Sequence, residues 1–123
     1  MKKNALLLIV FVVCGLTALS QKKELIEDKD LIIERAKLEM DSAMMAPDGK
    51  IYQWARKNPI QGEYIFDISI WEKGTVTSIF VVANNNGSID AQNRFRSFLM
   101  EYQFNFKMPK GKSYKFRHAF VFN

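Results

Sequence analysis

Residues 62–83, GEYIFDISIWEKGTVTSIFVVA, decide how this chain is read. Tyr64, Ile65, Phe66, Ile68, Ile70 and Trp71 fill one arm; Val76, Thr77, Ile79, Phe80, Val81 and Val82 fill the other. β-branched and aromatic residues suit a pleated, half-buried surface, so each arm reads as a β-strand. Glu72-Lys73-Gly74 joins them as a short turn, with Gly74 supplying the positive φ that a bulged hairpin takes. A lone hairpin is marginal in water, so a third strand and a covering helix are required.

The third strand is found at the end of the chain. From Ser113 to Asn123 the residues alternate: Tyr114, Phe116, His118, Phe120 and Phe122 on one face, Lys115, Arg117, Ala119 and Val121 on the other. A period of two places an aromatic face inward and a basic face outward. The cover is found on both sides of the hairpin. Lys22–Met45 lacks Gly and Pro and reads as helix, with Leu25, Ile32, Ile33, Ala36, Met40, Ala43 and Met44 as its apolar stripe; the charged Glu27-Asp28-Lys29-Asp30 patch is a place where it could break, and a strand at Leu31–Ile33 is the alternative. Ile51–Asn58 reads as a short helix that ends before Pro59. After the loop Asn84-Asn85-Asn86-Gly87, Ser88 is placed to cap a helix with Asp90 in its first turn. That helix presents Ile89, Gln92, Phe95, Leu99 and Tyr102 inward, with Phe98 beside them and Arg94, Arg96 and Glu101 outward. The expected fold class is α+β, in the order α-α-β-β-α-β. A small three-stranded antiparallel sheet, with the first hairpin strand at its centre, is covered by helices on one face.

At 123 residues the chain supports one small domain. Residues 1–20 read as an export signal: Lys2 and Lys3, an apolar run from Ala5 to Val13, then Ala18 and Ser20 before a cut at Gln21. The alternative is retention of residues 4–20 as a membrane anchor. The one cysteine, Cys14, lies inside this segment. Val13 before it argues against lipidation, and cleavage after Ser20 would leave a domain held by packing alone. Residues 21–50 form the helical N-terminal segment and 51–123 the α+β domain. Setting aside Lys2 and Lys3 takes the net charge from +5 to +3. The basic side is concentrated late: Lys107, Lys110, Lys112, Lys115 and Arg117 fall in the last twenty-one residues, which carry no acidic side chain. Such an end can face nucleic acid, anionic lipid or an acidic protein surface. Export disfavours nucleic acid and leaves peripheral membrane association open.

Residues 51–123 resemble the C-terminal domain of the TonB energy transducers. Tyr52-Gln53-Trp54-Ala55-Arg56 leading to Gly62 is similar to the family's helix and strand entry. Tyr64–Ile70 is similar to its first strand, and Lys73–Ile79 to its hairpin turn and second strand. Phe106-Lys107-Met108-Pro109-Lys110-Gly111 is similar to its Pro- and Gly-bearing segment before an aromatic last strand. Two features depart from the pattern: the proline near the start of the short helix is missing, and the long Pro-rich spacer is replaced. The roughly thirty intervening residues would reach about 100 Å fully extended and about 45 Å as a helix. A stand-alone domain of this shape is therefore expected, without an energy-transducing spacer.

The resemblance implies a periplasmic or outer-membrane partner, with a receptor segment adding to the last strand. The residues expected to meet it are Lys112, Tyr114, Lys115, Arg117, Ala119 and Val121, with the cations steering the approach. The alternative is a structural accessory subunit docked permanently to an envelope complex. Enzyme readings find little to stand on. His118 is the lone histidine and reads as a hydrogen-bonded strand residue; Asp67 reads as solvent-facing. No cysteine cluster, Gly-rich phosphate loop or nucleophile motif is present, and no cofactor is expected. A nucleic-acid platform needs aromatics and cations on one face, and the last strand's alternation separates them.

Overall fold

The computed structural model describes residues 23–123. The expected export signal and Cys14 lie outside the described residues. Eight elements follow in order: β1 (Glu24–Leu25), α1 (Lys29–Ala43), α2 (Lys50–Lys57), β2 (Gly62–Trp71), β3 (Thr75–Asn85), α3 (Ile89–Met100), β4 (Phe106–Lys107) and β5 (Ser113–Phe122). The α+β class and the order of helices and long strands are as the sequence implied, with the two-residue strands β1 and β4 added.

β2 lies at the centre of a three-stranded antiparallel sheet in the order β3-β2-β5. Gly74, at φ +77°, closes the turn between β2 and β3, its N–H donating to the Trp71 carbonyl at 2.8 Å. A Cβ at this position would meet the Phe106 carbonyl at 2.6 Å, so the turn needs glycine for space as well as for φ.

One face of β2 is completely enclosed: Tyr64, Phe66, Ile68 and Ile70 have no exposure. Phe95 of α3 gathers the aromatic side chains over it, with ring centroids 5.6 Å from Phe66, 5.0 Å from Phe120 and 5.1 Å from Phe122. Full burial of such a side chain stabilises the fold by roughly 1.5–3 kcal/mol. α1 packs on β5 and α3 on β3. Ile32, Ala36, Met40 and Ala43 bring α1 into the same core, so the segment before residue 51 is part of this packing.

Two boundaries differ from the expectation. The helix expected from Lys22 starts at Lys29, because the Asp28 carboxylate accepts the Leu31 N–H at 3.0 Å and caps it there. Glu24–Leu25 instead pairs in parallel with Phe106–Lys107, and Leu25, assigned to the apolar stripe, is 48% exposed. In α3, Ser88 caps as expected, accepting the Ala91 N–H at 3.0 Å. Ile89 nevertheless faces solvent, and Ala91 takes the buried place in the first turn.

Candidate functional site

With β2 between them, β3 and β5 are the two edges of the sheet. An edge strand presents backbone N–H and C=O groups that its single neighbour leaves unused, which is a template for another strand. The two edges are built differently. The pairing of β3 with β2 jumps from Ser78 to Val76 and from Ala83 to Val81, so Thr77 and Val82 are extra residues. Bulges of this kind bend and twist a strand away from an incoming one. Arg96 of α3 also plugs this edge, donating from Nε to the Ile79 carbonyl at 3.0 Å, and Gln103 bridges to Thr75.

β5 has neither feature. It pairs with β2 in one uninterrupted register, from Gly62 opposite Phe122 to Trp71 opposite Ser113. Among the described residues, only β2 bonds to its main chain. Lys115, Arg117, Ala119 and Val121 stand exposed on its outer face, and Lys112 is exposed in the turn before it. Tyr114 stands apart from this group. It is one residue out of phase, half-buried on the inner face, with the Lys29 ammonium 5.9 Å from its ring centroid.

Arg117 is already occupied. Its Nε donates to Asp67 Oδ1 at 2.9 Å and its Nη2 to Asp67 Oδ2 at 3.2 Å, directly across the ladder on β2. These hydrogen bonds hold the Asp67 carboxyl below the usual carboxylate range. Lys112 and Lys115, by contrast, have no ion-pair partner among the described residues. His118 is a hydrogen-bonded strand residue, as expected: its Nε2 lies 3.0 Å from Asp41 Oδ1 and ties β5 to α1. Burial pushes the imidazole below its ordinary pKa, against the pull of Asp41.

Among polar residues such as Glu63, Ser69 and Ser78, the outer sheet face also carries apolar side chains, with Phe80 70%, Val121 52% and Trp71 41% exposed. Elsewhere, a hollow of about 820 Å³ lies between α1 and Tyr102–Asn105. Of the two carboxylates that line it, Glu39 and Asp48, Glu39 accepts the Tyr102 hydroxyl at 2.9 Å and the Asn105 N–H at 2.9 Å, so it braces α1 against this segment. Burial and the neighbouring Glu39 both raise the Tyr102 phenol's pKa. Among the described residues no group of three His, Cys, Asp or Glu side chains could hold a metal ion.

The plug at Arg96 and the bulges at Thr77 and Val82 escaped the sequence reading. Arg96 was assigned outward on helical spacing, and nothing in the alternation of residues 75–85 flags its two breaks except the non-alternating run Phe80–Val82.

No protein-family model matches the chain, and no curated protein does. In structure it is similar to the TonB C-terminal domain of Helicobacter pylori, determined in solution by NMR. The identity is 18%, over 78% of this chain and 85% of that one, with a TM-score of 0.43. The likeness is one of α+β architecture, and it leaves the partner of this chain to be argued from the chain's own residues.

Proposed function

We propose that this chain is a non-enzymatic protein-binding domain of the cell envelope. It engages a periplasmic or outer-membrane partner by pairing an extended segment of that partner with β5. The observation that carries the reading is the contrast between the edges: β3 is bulged and plugged, whereas β5 keeps one register over ten residues and is bonded on one side. Main-chain hydrogen bonds would supply affinity, and the exposed Lys115, Arg117, Ala119 and Val121 would supply selectivity. Lys112 would steer the approach, and Tyr114 would contribute from the inner side. Residues 1–20, read as an export signal, support the location.

Hydrogen exchange of the protein in an envelope extract tests this. The outward-facing amides of β5, fast in the free protein, become protected, and β3 does not change. Protection at β3, or at neither edge, would refute edge pairing by β5.

A second reading is favoured by the bare outer face with Phe80, Trp71 and Val121. It is a permanent accessory subunit of a larger envelope complex, docked through that face. Stoichiometric, salt-resistant recovery with membranes supports the subunit; weak binding that a short extended peptide displaces supports the edge reader.

A further inference from the structure

A group of lysines gathers where the β2–β3 turn meets the β4–β5 connection. The two turns are fastened together: the Met108 N–H donates to the Glu72 carbonyl at 2.6 Å and the Gly111 N–H to Glu72 Oε1 at 2.7 Å. Lys73 lies in the first turn, Lys107 ends β4, half-exposed, and Lys110 and Lys112 lie in the connection that follows. Lys23 joins them, its ammonium donating to the Lys73 carbonyl at 2.9 Å. None of these five lysines has an ion-pair partner among the described residues.

Some carboxylates at this end are occupied: Glu72 holds Gly111, Asp28 caps α1, and Glu24 pairs with Arg35 at 3.0 Å. Glu27, Asp30 and Glu101 are not, and Asp48 lines the same hollow as Lys23, so the lysines outnumber the unoccupied carboxylates by a narrow margin. Trp71, 41% exposed, stands at the same end, paired with Ser113 and Thr75. The chain also enters the described fold here, at Lys23, directly after the segment that holds the apolar run Ala5–Val13.

We infer that this end of the molecule is a membrane-facing surface, whose lysines take the phosphate headgroups of anionic lipid while Trp71 sits at the interface. Lysines near an anionic leaflet add binding roughly independently, and tryptophan favours the headgroup level where one side is wet and the other apolar. The surface adjoins the β5 edge at Lys112, and Lys73, Lys107 and Lys110 lie outside the residues expected to meet the β5 partner.

The test uses the full chain and lipid vesicles. Phosphatidylcholine vesicles report any binding through residues 5–13, and the readout is the gain when 30% phosphatidylglycerol is included, about three-thousandfold in low salt if all five lysines contribute. On binding, the emission assigned to Trp71, taken as the difference from Trp71→Phe, shifts to the blue. The triple variant Lys73→Glu, Lys107→Glu, Lys110→Glu loses about a hundredfold of that gain, or about fivefold per lysine, and its Lys→Arg counterpart keeps it. Equal binding to both vesicle types would overturn the inference. So would a charge-reversed variant that folds and binds like the parent, or capture of acidic envelope proteins by this patch with no phosphatidylglycerol dependence.

Discussion

The two edges of the sheet share a central strand, and each has a helix against it, yet only one is open. β3 carries extra residues at Thr77 and Val82 and an arginine on its Ile79 carbonyl. β5 runs in unbroken register and has its helix fastened to its inner side, through His118–Asp41 and Lys29–Tyr114. An edge is therefore closed by what is built onto its outward main chain, and position at the rim alone does not expose it. The helix on β3 reaches over to block; the helix on β5 is fastened to the strand's inner side. Exposure of β5 is then a matter of two separable things, a well-anchored inner face and an unobstructed outer rim.

The anchoring can be broken first, and with the largest effect. Phe120 has no exposure, and its ring lies 5.0 Å from Phe95 and 5.9 Å from Phe66. Phe120→Ala should cost about 3–5 kcal/mol in urea unfolding, since the aromatic cluster cannot collapse fully around the hole. Val121→Ala, one residue along on the outer face, should stay within about 0.5 kcal/mol. Similar losses for the two would mean that β5 is not anchored from one side.

The hairpin turn comes next. Gly74→Ala forces a side chain into φ +77° and against the Phe106 carbonyl, and should cost about 1–3 kcal/mol. Because Phe104 donates its N–H to the Gly74 carbonyl at 2.9 Å, the loss should also loosen Tyr102–Met108, read as faster amide exchange there.

These anchoring features were largely legible in the sequence, and the features that close an edge were not. Alternation in residues 113–122 and the arms of the hairpin set the inner face, because a period of two admits one assignment once a face is buried. Local patterns carry no information about partners distant in sequence. Arg96 bonds a carbonyl seventeen residues before it, and Glu39 bonds Tyr102 and Asn105 more than sixty residues after it. Phe104 and Phe106, both fully buried, belong to a period-two run in which Tyr102, Phe104, Phe106 and Met108 alternate with Gln103, Asn105 and Lys107; the run announces a buried face but not its partners, Gly74 and β1, which are distant in sequence. Tyr114 shows the same limit inside a well-read strand. Its place in the chain puts it with the expected contact residues, and its phase puts it with the core.

The fastening of β5 to α1 should show a smaller, pH-dependent signature. Burial lowers the folded-state pKa of His118 below its ordinary 6.5, with Asp41 opposing and Lys37 adding to the shift. A depressed value means that the folded state disfavours the proton. The stabilisation is complete above pH 6.5 and is lost as the pH falls through the folded value. The Tm should decline between pH 7 and pH 5, and His118→Gln should flatten that slope relative to the parent. A slope unchanged in the variant would place its origin in other groups.

The smallest effect separates the two ways in which β3 is closed. Arg96→Ala removes the plug from Ile79 and leaves both bulges in place. Because Arg96 is a largely exposed side chain making one main-chain hydrogen bond, stability should change by no more than about 1 kcal/mol. In hydrogen exchange with an envelope extract, protection should still fall on β5 alone if Thr77 and Val82 suffice to turn strands away. Should protection now spread to β3, the arginine was what kept that edge shut, and the difference between the edges would rest on one side chain of α3 and not on the backbone of β3.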